Sequence, residues 1–268
     1  MSQIRPAAVA GAFYPGNGQV LSRDLDALLG NIATVDGPLP KAVIVPHAGY
    51  IYSGPIAASA YQRLVPGRGT IKRVVLLGPA HRVPVRGLAL PEADHFATPL
   101  GLVAIDQAGI DAIRDLQQVS VSAAAHAMEH SLEVQLPFLQ KILGEFSLIP
   151  LVVGDTSAEA VAQVLERLWG GPETLIVISS DLSHYLPYAV AQRVDEQTTH
   201  MILGLQTGIN HEQACGGTPV NGLLLAAQRH GLSPELIDLR NSGDTAGDRD
   251  HVVGYAAFSF VEGTPHAH

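Results

Sequence analysis

The chain has 268 residues, a formal net charge of −9 and 47% hydrophobic residues, and these values exclude several classes of protein. The length suits one large α/β domain with a sizeable core. An acidic chain with only 16 lysines and arginines lacks the basic surface of a general nucleic-acid binder. No apolar run reaches the ~20 residues that a membrane span needs, and no secretory signal is visible at the N-terminus. Because Cys215 is the single cysteine, no internal disulfide can form, and we expect a cytoplasmic protein.

Apolar segments alternate with amphipathic ones along the chain, which predicts alternating strands and helices. A first helix is predicted over residues 23–29, with Ser22 as its N-cap and Gly30 at its end. The later helices are predicted over residues 54–64 (with Pro55 in the first turn), 107–116, 129–143 (with a kink at Pro137), 158–169, 189–205 and 220–229. The strands are predicted over residues 42–45, 73–77, 85–90, 100–105, 146–153, 175–180, 235–241 and 252–261.

This alternation indicates the fold class. It predicts a single α/β domain over residues 1–262, with a mostly parallel or mixed central sheet flanked by helices. Residues 263–268 are expected to form a disordered tail.

Three of the predicted strands are each followed by a turn-forming residue and then a histidine. These histidines are His47, His81 and His184. Each one taken alone is as easily explained by a structural role beside a turn. The carboxyl ends of neighbouring strands in an open α/β sheet, however, form the usual ligand crevice. If the three strands are neighbours, the three histidines converge on one site.

A metal site is the first chemistry that these residues suggest. Imidazole and thiolate groups bind iron, zinc and copper, and His47, His81 and Cys215 are candidate ligands. They come from three separate loops, so no local ligand motif such as CxxC or HExxH supports the assignment. Cys215 could instead be an ordinary buried residue, although its place beside two glycines indicates a turn, where packing rarely requires a thiol.

Two further pairs suggest acid–base chemistry. Asp181 lies three positions before His184, so it could fix the tautomer of that ring and leave the other nitrogen for proton transfer. Alternatively, Asp181 caps a following helical turn. His130 and Glu133 have helical i, i+3 spacing and would share one face, either supporting the site or belonging to a solvated helix start.

Nucleophilic catalysis is the competing interpretation. Cys215 before a helix entrance could form a cysteine hydrolase site with His184 as base and Asp181 as orienting group. The sequence contains no GxSxG, GxxxxGK or GxGxxG motif, so serine hydrolase, P-loop and Rossmann functions are unsupported.

Six segments together resemble the Memo family, which is called AmmeMemoRadiSam system protein B in prokaryotes. They are AGAFYP at 10–15, PHAGY at 46–50, GPAH at 78–81, EHSLE at 129–133, SSDLSH at 179–184 and VGYAAF at 253–258. The segments follow the family order and extend over nearly the whole chain, so the combined match is specific although no one segment is.

The resemblance implies a fold like that of the class III extradiol (LigB-like) dioxygenases, the non-haem iron enzymes that open catechol rings. It implies that His47 and His81 are metal ligands, that Cys215 stands where those enzymes carry a glutamate ligand, and that His184 is the acid–base histidine. The other residues that would line or support the pocket are Asp181, His130, Phe13 and Tyr52.

A set of two histidines and one cysteine departs from the 2-His-1-carboxylate triad of non-haem Fe(II) oxygenases. We therefore expect Fe(II), with copper or zinc as alternatives. The leading hypothesis is a dioxygenase-like redox protein acting on a small substrate, with aromatic compounds among the candidates. The alternatives are a non-catalytic peptide- or protein-binding module that uses the same cleft, and the metal-free cysteine hydrolase. The resemblance also implies a functional link to AMMECR1-like and radical SAM proteins.

Overall fold

The computed structural model describes residues 2–33 and 37–263, so the predicted tail lies outside the described residues from position 264 onward. The described strands are β1 Ile4–Arg5, β2 Ala42–Val45, β3 Arg73–Pro79, β4 Leu88–Leu90, β5 His95–Thr98, β6 Gly101–Ile105, β7 Val119–Val121, β8 Ser147–Val153, β9 Thr174–Ser179, β10 His184–Leu186, β11 Leu232–Asn241 and β12 Val252–Glu262. The described helices are α1 Gly18–Gly30, α2 Tyr50–Gln62, α3 Gln107–Asp111, α4 Ala123–Ala127, α5 Leu136–Leu143, α6 Ala158–Leu168, α7 Tyr188–Leu203 and α8 Gly217–His230.

All the described strands belong to one mixed sheet. Its main path runs β1-β5-β6-β8-β3-β9-β2-β12-β10, with β4, β7 and β11 attached beside it. The central strands β8, β3, β9 and β2 are parallel, whereas β12 runs antiparallel to β2, β10 and β11. This confirms the predicted α/β fold with a mixed central sheet.

The central parallel strands are almost wholly buried, which explains why the sequence shows them as unbroken apolar runs. Helices pack against them: α2 contacts β2 and β12, and α8 contacts β3 and β9. None of the helices in the described ranges combines the length and the apolar character that crossing a membrane requires.

The three strands that precede the histidine loops are neighbours in the sheet, in the order β3-β9-β2. They are parallel, so their carboxyl ends lie at the same edge of the sheet. The loops that carry His47, His81 and His184 therefore start side by side, and the sheet itself brings them together.

The first two helices begin earlier than the sequence predicts. Helix α1 starts at Gly18, because the side chain of Asn17 rather than Ser22 accepts the first free N–H groups. Helix α2 starts at Tyr50, so Pro55 lies inside it and not in its first turn. Tyr50 anchors that early turn, since its N–H donates to Phe13 O at 2.8 Å and its hydroxyl to a buried carbonyl.

The prediction of a helix over residues 129–143 is wrong for residues 129–135. Helix α5 begins only at Leu136, and Pro137 lies in its first turn and produces no kink. The preceding turn is held by the Glu129 carboxylate, which accepts the N–H groups of His130 and Ser131. Such local side-chain bonds compete with helix formation.

Helix α7 carries a buried acid, Asp195, that fixes the loop leading to His184. Its Oδ1 accepts the Ser183 N–H at 3.0 Å. Position 254 must be glycine here, because a Cβ there would come within 2.0 Å of Asp195 Oδ2. Burial raises the pKa of Asp195 to about 6 and outweighs the opposing effect of the Ser183 hydrogen bond.

This raised pKa predicts a pH-dependent stability. The folded chain binds the Asp195 proton more tightly than the unfolded chain does, so stability falls as the pH rises from ~4 to ~6 and stays lower above that window. Asp195→Asn should leave the free energy of unfolding near that of the parent at pH 4 and increase it by about 1–3 kcal/mol at pH 7.5.

Urea unfolding at the two pH values measures the effect. Asp24→Asn, at an exposed position of α1, is the control and should be neutral at both. An Asp195→Asn variant that is equally or less stable than the parent at pH 7.5 would contradict the prediction.

Candidate metal centre

Three histidines meet at the carboxyl edge of the central strands. His47 follows β2, His81 follows β3, and His130 lies in the turn before α5. One ring nitrogen from each lies within 4.8 Å of the others. The ring centroids are 5.2 Å apart for His47 and His81, 5.5 Å for His47 and His130, and 4.6 Å for His81 and His130. The resemblance gives His130 a supporting role, whereas the structure brings it into the group itself.

The orientation of His81 is set by Glu129, which the sequence reasoning did not select. Glu129 Oε1 accepts from His81 Nδ1 at 2.9 Å, and Oε2 accepts the His81 backbone N–H at 2.6 Å. Burial raises the pKa of Glu129, but hydrogen bonds from His81 and Ser131 outweigh it and lower the pKa to about 2. An ionised carboxylate can only accept, so His81 carries its proton on Nδ1 and leaves Nε2 free. The sequence feature that could have pointed to Glu129 is its position directly before His130 in the segment EHSLE.

His47 is the most enclosed of the three rings. Its backbone N–H donates to Asp181 Oδ1 at 2.7 Å, and its Nδ1 lies 2.9 Å from Ser179 Oγ. Burial, reinforced by the nearby His81, lowers the pKa of His47 to about 3. The ring is therefore neutral at physiological pH, which is the state that binds metal.

Asp181 has a different role from either one predicted. It contacts the His47 backbone and makes no hydrogen bond with His184 within the described chain. It caps no helical turn either, since His184 begins strand β10. Burial raises the pKa of Asp181, and the hydrogen bond from His47 only partly opposes this. Asp181 therefore positions the His47 loop.

Cys215 reaches one of the three histidines. Its Sγ lies 3.3 Å from His47 Nε2 and 3.7 Å from the carbonyl oxygen of Asp181, but it is outside the group of three defined above. Burial, with a smaller effect of Asp181, raises the pKa of Cys215 to about 12, so the group is a thiol. The predicted pairing of Cys215 with His184 and Asp181 is absent from the described residues, where Sγ contacts His47 Nε2 instead. A thiol whose pKa is raised is also a weaker nucleophile than a thiolate.

Two cavities share His81 and His184 as lining residues. The first, of about 690 Å³, also contains His47 and His130, and its aromatic wall consists of Phe13, Tyr52, Tyr185 and Tyr255. The second, of about 980 Å³, lies between α7 and the segment 210–215, with Cys215 in its wall. The site thus has an aromatic chamber on one side and a second chamber on the other.

Glu133 is buried outside both cavities. It does not share a helical face with His130, because only a short 3-10 helix over Glu133–Gln135 forms there and His130 precedes it. Its carboxylate pairs with Arg5 and accepts the backbone N–H groups of Ala8 and Val9 at 2.8 and 3.0 Å. Glu133 therefore anchors the N-terminal segment that places Phe13 in the first cavity.

Removing the charge of Glu133 should destabilise the fold. Glu133→Gln leaves the buried Arg5 guanidinium without its counter-charge, and we expect a loss of about 3–5 kcal/mol in the free energy of unfolding. Urea denaturation measures the loss. Glu159→Gln, which breaks an exposed pair with Arg229, is the matched control and should cost at most about 1 kcal/mol. Equal losses in the two variants would contradict this role for Glu133.

Known proteins resemble this chain over nearly its whole length. The profile of the family described as Memo-like protein matches residues 5–259. A MEMO1 family protein from Aquifex aeolicus is 38% identical, covering 97% of this chain and 100% of its own. Another, from Sulfurisphaera tokodaii, is 32% identical, covering 96% of this chain and 99% of its own. A crystal structure of an uncharacterised protein from Escherichia coli K12 matches with a TM-score of 0.48 and 14% identity, covering 80% of this chain and 98% of that one. The chain belongs to the Memo family.

Proposed function

We propose that this protein binds a transition-metal ion, Fe(II) in the first instance, through His47, His81 and a third ligand, and that the bound ion serves redox chemistry on a small aromatic substrate. The observation that carries the proposal is the group of three histidine nitrogens within 4.8 Å of one another. Histidine nitrogens of this kind bind iron, copper and zinc.

The donor set fits a metal ion. Burial lowers the pKa of His47 to about 3 and that of His130 to about 4, so both rings offer lone pairs at neutral pH. Nδ1 of His130 is buried and lies 3.3 Å from Glu129 Oε1, but it has no well-aligned hydrogen-bond partner among the described residues. Glu129 holds His81 with Nε2 free, the arrangement by which a carboxylate orients a metal-bound imidazole.

The third ligand that we propose is His130. Cys215, the ligand that the resemblance implies, is the alternative. Cys215 contacts His47 but is a thiol in this arrangement, so it must release a proton before it binds a metal ion. His130 requires no proton release. Fe(II) is preferred to copper or zinc because of the resemblance to the extradiol dioxygenases.

The substrate is proposed to occupy the first cavity, where Phe13, Tyr52 and Tyr255 offer aromatic contacts beside the three histidines. His184 lies in the wall of both cavities and is the group proposed to transfer a proton to or from the substrate. Asp181 supports the site by holding the backbone of His47. Bound iron would supply electron transfer with O₂.

A second candidate function is recognition of a peptide or protein segment in the same cleft. The observation that favours it is the size of the cleft, since two cavities of about 690 and 980 Å³ have His81 and His184 in their walls. We also propose, from the resemblance alone, a functional link to AMMECR1-like and radical SAM proteins.

Metal binding is tested by anaerobic reconstitution with Fe(II) and elemental analysis. We expect about one ion per parent chain. His47→Ala and His81→Ala should lose the ion while keeping the circular dichroism spectrum of the parent.

His130→Ala should also lose the ion and Cys215→Ala should retain it if His130 is the third ligand; the reverse result assigns that role to Cys215. His200→Ala, on the exposed face of α7, is the control. Full metal content in His47→Ala, or none in the parent, would overturn the proposal.

Redox turnover is tested separately by O₂ consumption of the iron-loaded protein with a panel of catechols. Because His184 is proposed to move a proton and not to hold the ion, His184→Ala should retain the ion but lose about 10²–10⁴-fold in turnover. If no catechol increases O₂ consumption, and a peptide library selects ligands that the metal-free chain binds equally well, the second candidate function replaces the first.

A further inference from the structure

Ser179, the last residue of β9, is a buried hydroxyl with three polar neighbours. Its Oγ lies 2.6 Å from Ser131 O, 2.8 Å from Gln135 Nε2 and 2.9 Å from His47 Nδ1. A serine hydroxyl has one proton to donate and two lone pairs that accept. The roles of the three neighbours are therefore coupled.

Two of the neighbours have fixed roles. The Ser131 carbonyl oxygen can only accept, so it takes the Ser179 proton. The amide of Gln135 is oriented at both ends, because Nε2 donates to Pro46 O at 2.9 Å and Oε1 accepts from the Tyr61 hydroxyl at 2.8 Å. Gln135 Nε2 therefore also donates to Ser179, which uses the first of its two lone pairs.

One lone pair of Ser179 remains, and His47 Nδ1 is the atom that faces it. His47 must then donate from Nδ1. The opposite tautomer would require Ser179 to turn its proton toward His47 and leave the buried Ser131 carbonyl without that donor, which is unfavourable. On the other side of the ring, Nε2 faces the Cys215 thiol at 3.3 Å, which suits a bare nitrogen that accepts from S–H.

We propose that Ser179, held by Gln135 and Ser131, is the positioning residue that fixes His47 in its Nδ1–H tautomer and so keeps Nε2 available as a metal ligand. The metal-binding part of this inference rests on the proposed function. The tautomer itself is a property of the metal-free chain. Ser179 thus does for His47 what Glu129 does for His81, with a neutral hydroxyl in place of a carboxylate.

The test uses metal-free protein labelled with ¹⁵N-histidine. Long-range ¹H–¹⁵N correlation spectra distinguish the two tautomers, and His47→Ala identifies the His47 signals by their loss. We expect the Nδ1–H pattern in the parent chain. In Ser179→Ala, the Nδ1 proton loses its acceptor and Gln135 loses one of its own, so the Nε2–H tautomer should become populated. Fe(II) affinity should fall about 10–100-fold.

Two variants serve as controls. Ser179→Thr retains a hydroxyl and should restore both the Nδ1–H signal and the Fe(II) affinity. Ser183→Ala removes a nearby buried hydroxyl that has no hydrogen-bond partner among the described residues, and it should change neither.

The outcomes separate this inference from the proposed function. An Nε2–H tautomer in the parent overturns the inference even if Fe(II) binds. A Ser179→Ala chain that keeps the Nδ1–H tautomer and full affinity overturns it as well. An Nδ1–H tautomer in a parent chain that binds no Fe(II) supports the assignment and removes only the proposed metal site.

Discussion

One buried carboxylate holds the site together. Glu129 binds the ring and the backbone of His81 on one side and the backbone of His130 and Ser131 on the other. It therefore joins the loop after β3 to the turn before α5, two segments that the sheet alone would not bring together. Because the group is buried and stays ionised, its hydrogen bonds act in a low-dielectric environment, where they are strong and an unpaired charge would be costly. The closeness of His81 and His130 depends on this interaction.

The rest of the site depends on the sheet. Parallel neighbours β3, β9 and β2 deliver their loops to a common edge, and Asp181 and Ser179, at the end of β9, contact the loop after β2. On the far side, Arg5 and Glu133 fix the N-terminal segment that supplies Phe13. Three sets of buried polar groups therefore position the site residues: Glu129, Asp181 with Ser179, and the Arg5–Glu133 pair. No local sequence motif would place those residues together.

The fold was predictable because the central strands can be recognised from their own residues, without knowledge of their partners. Buried parallel strands are continuous apolar runs, and β2, β3, β8 and β9 were placed almost to the residue. Strands β5 and β10 contain polar and half-buried residues, so neither shows a continuous apolar run. At the site, His47 and His81 could be selected because each follows a strand end. The roles of Asp181 and Glu133 could not, since Asp181 binds His47, 134 residues away, and Glu133 binds Val9, 124 residues away. The role of His130 depends on the turn that Glu129 stabilises in place of the predicted helix.

His81 and His184 lie in the wall of both chambers, so these two rings can be approached from two sides. A molecule seated in the aromatic chamber therefore leaves the second chamber, beside Cys215, open to these two rings. A compound that fills only the chamber beside Cys215 would then obstruct that second route without displacing the first occupant.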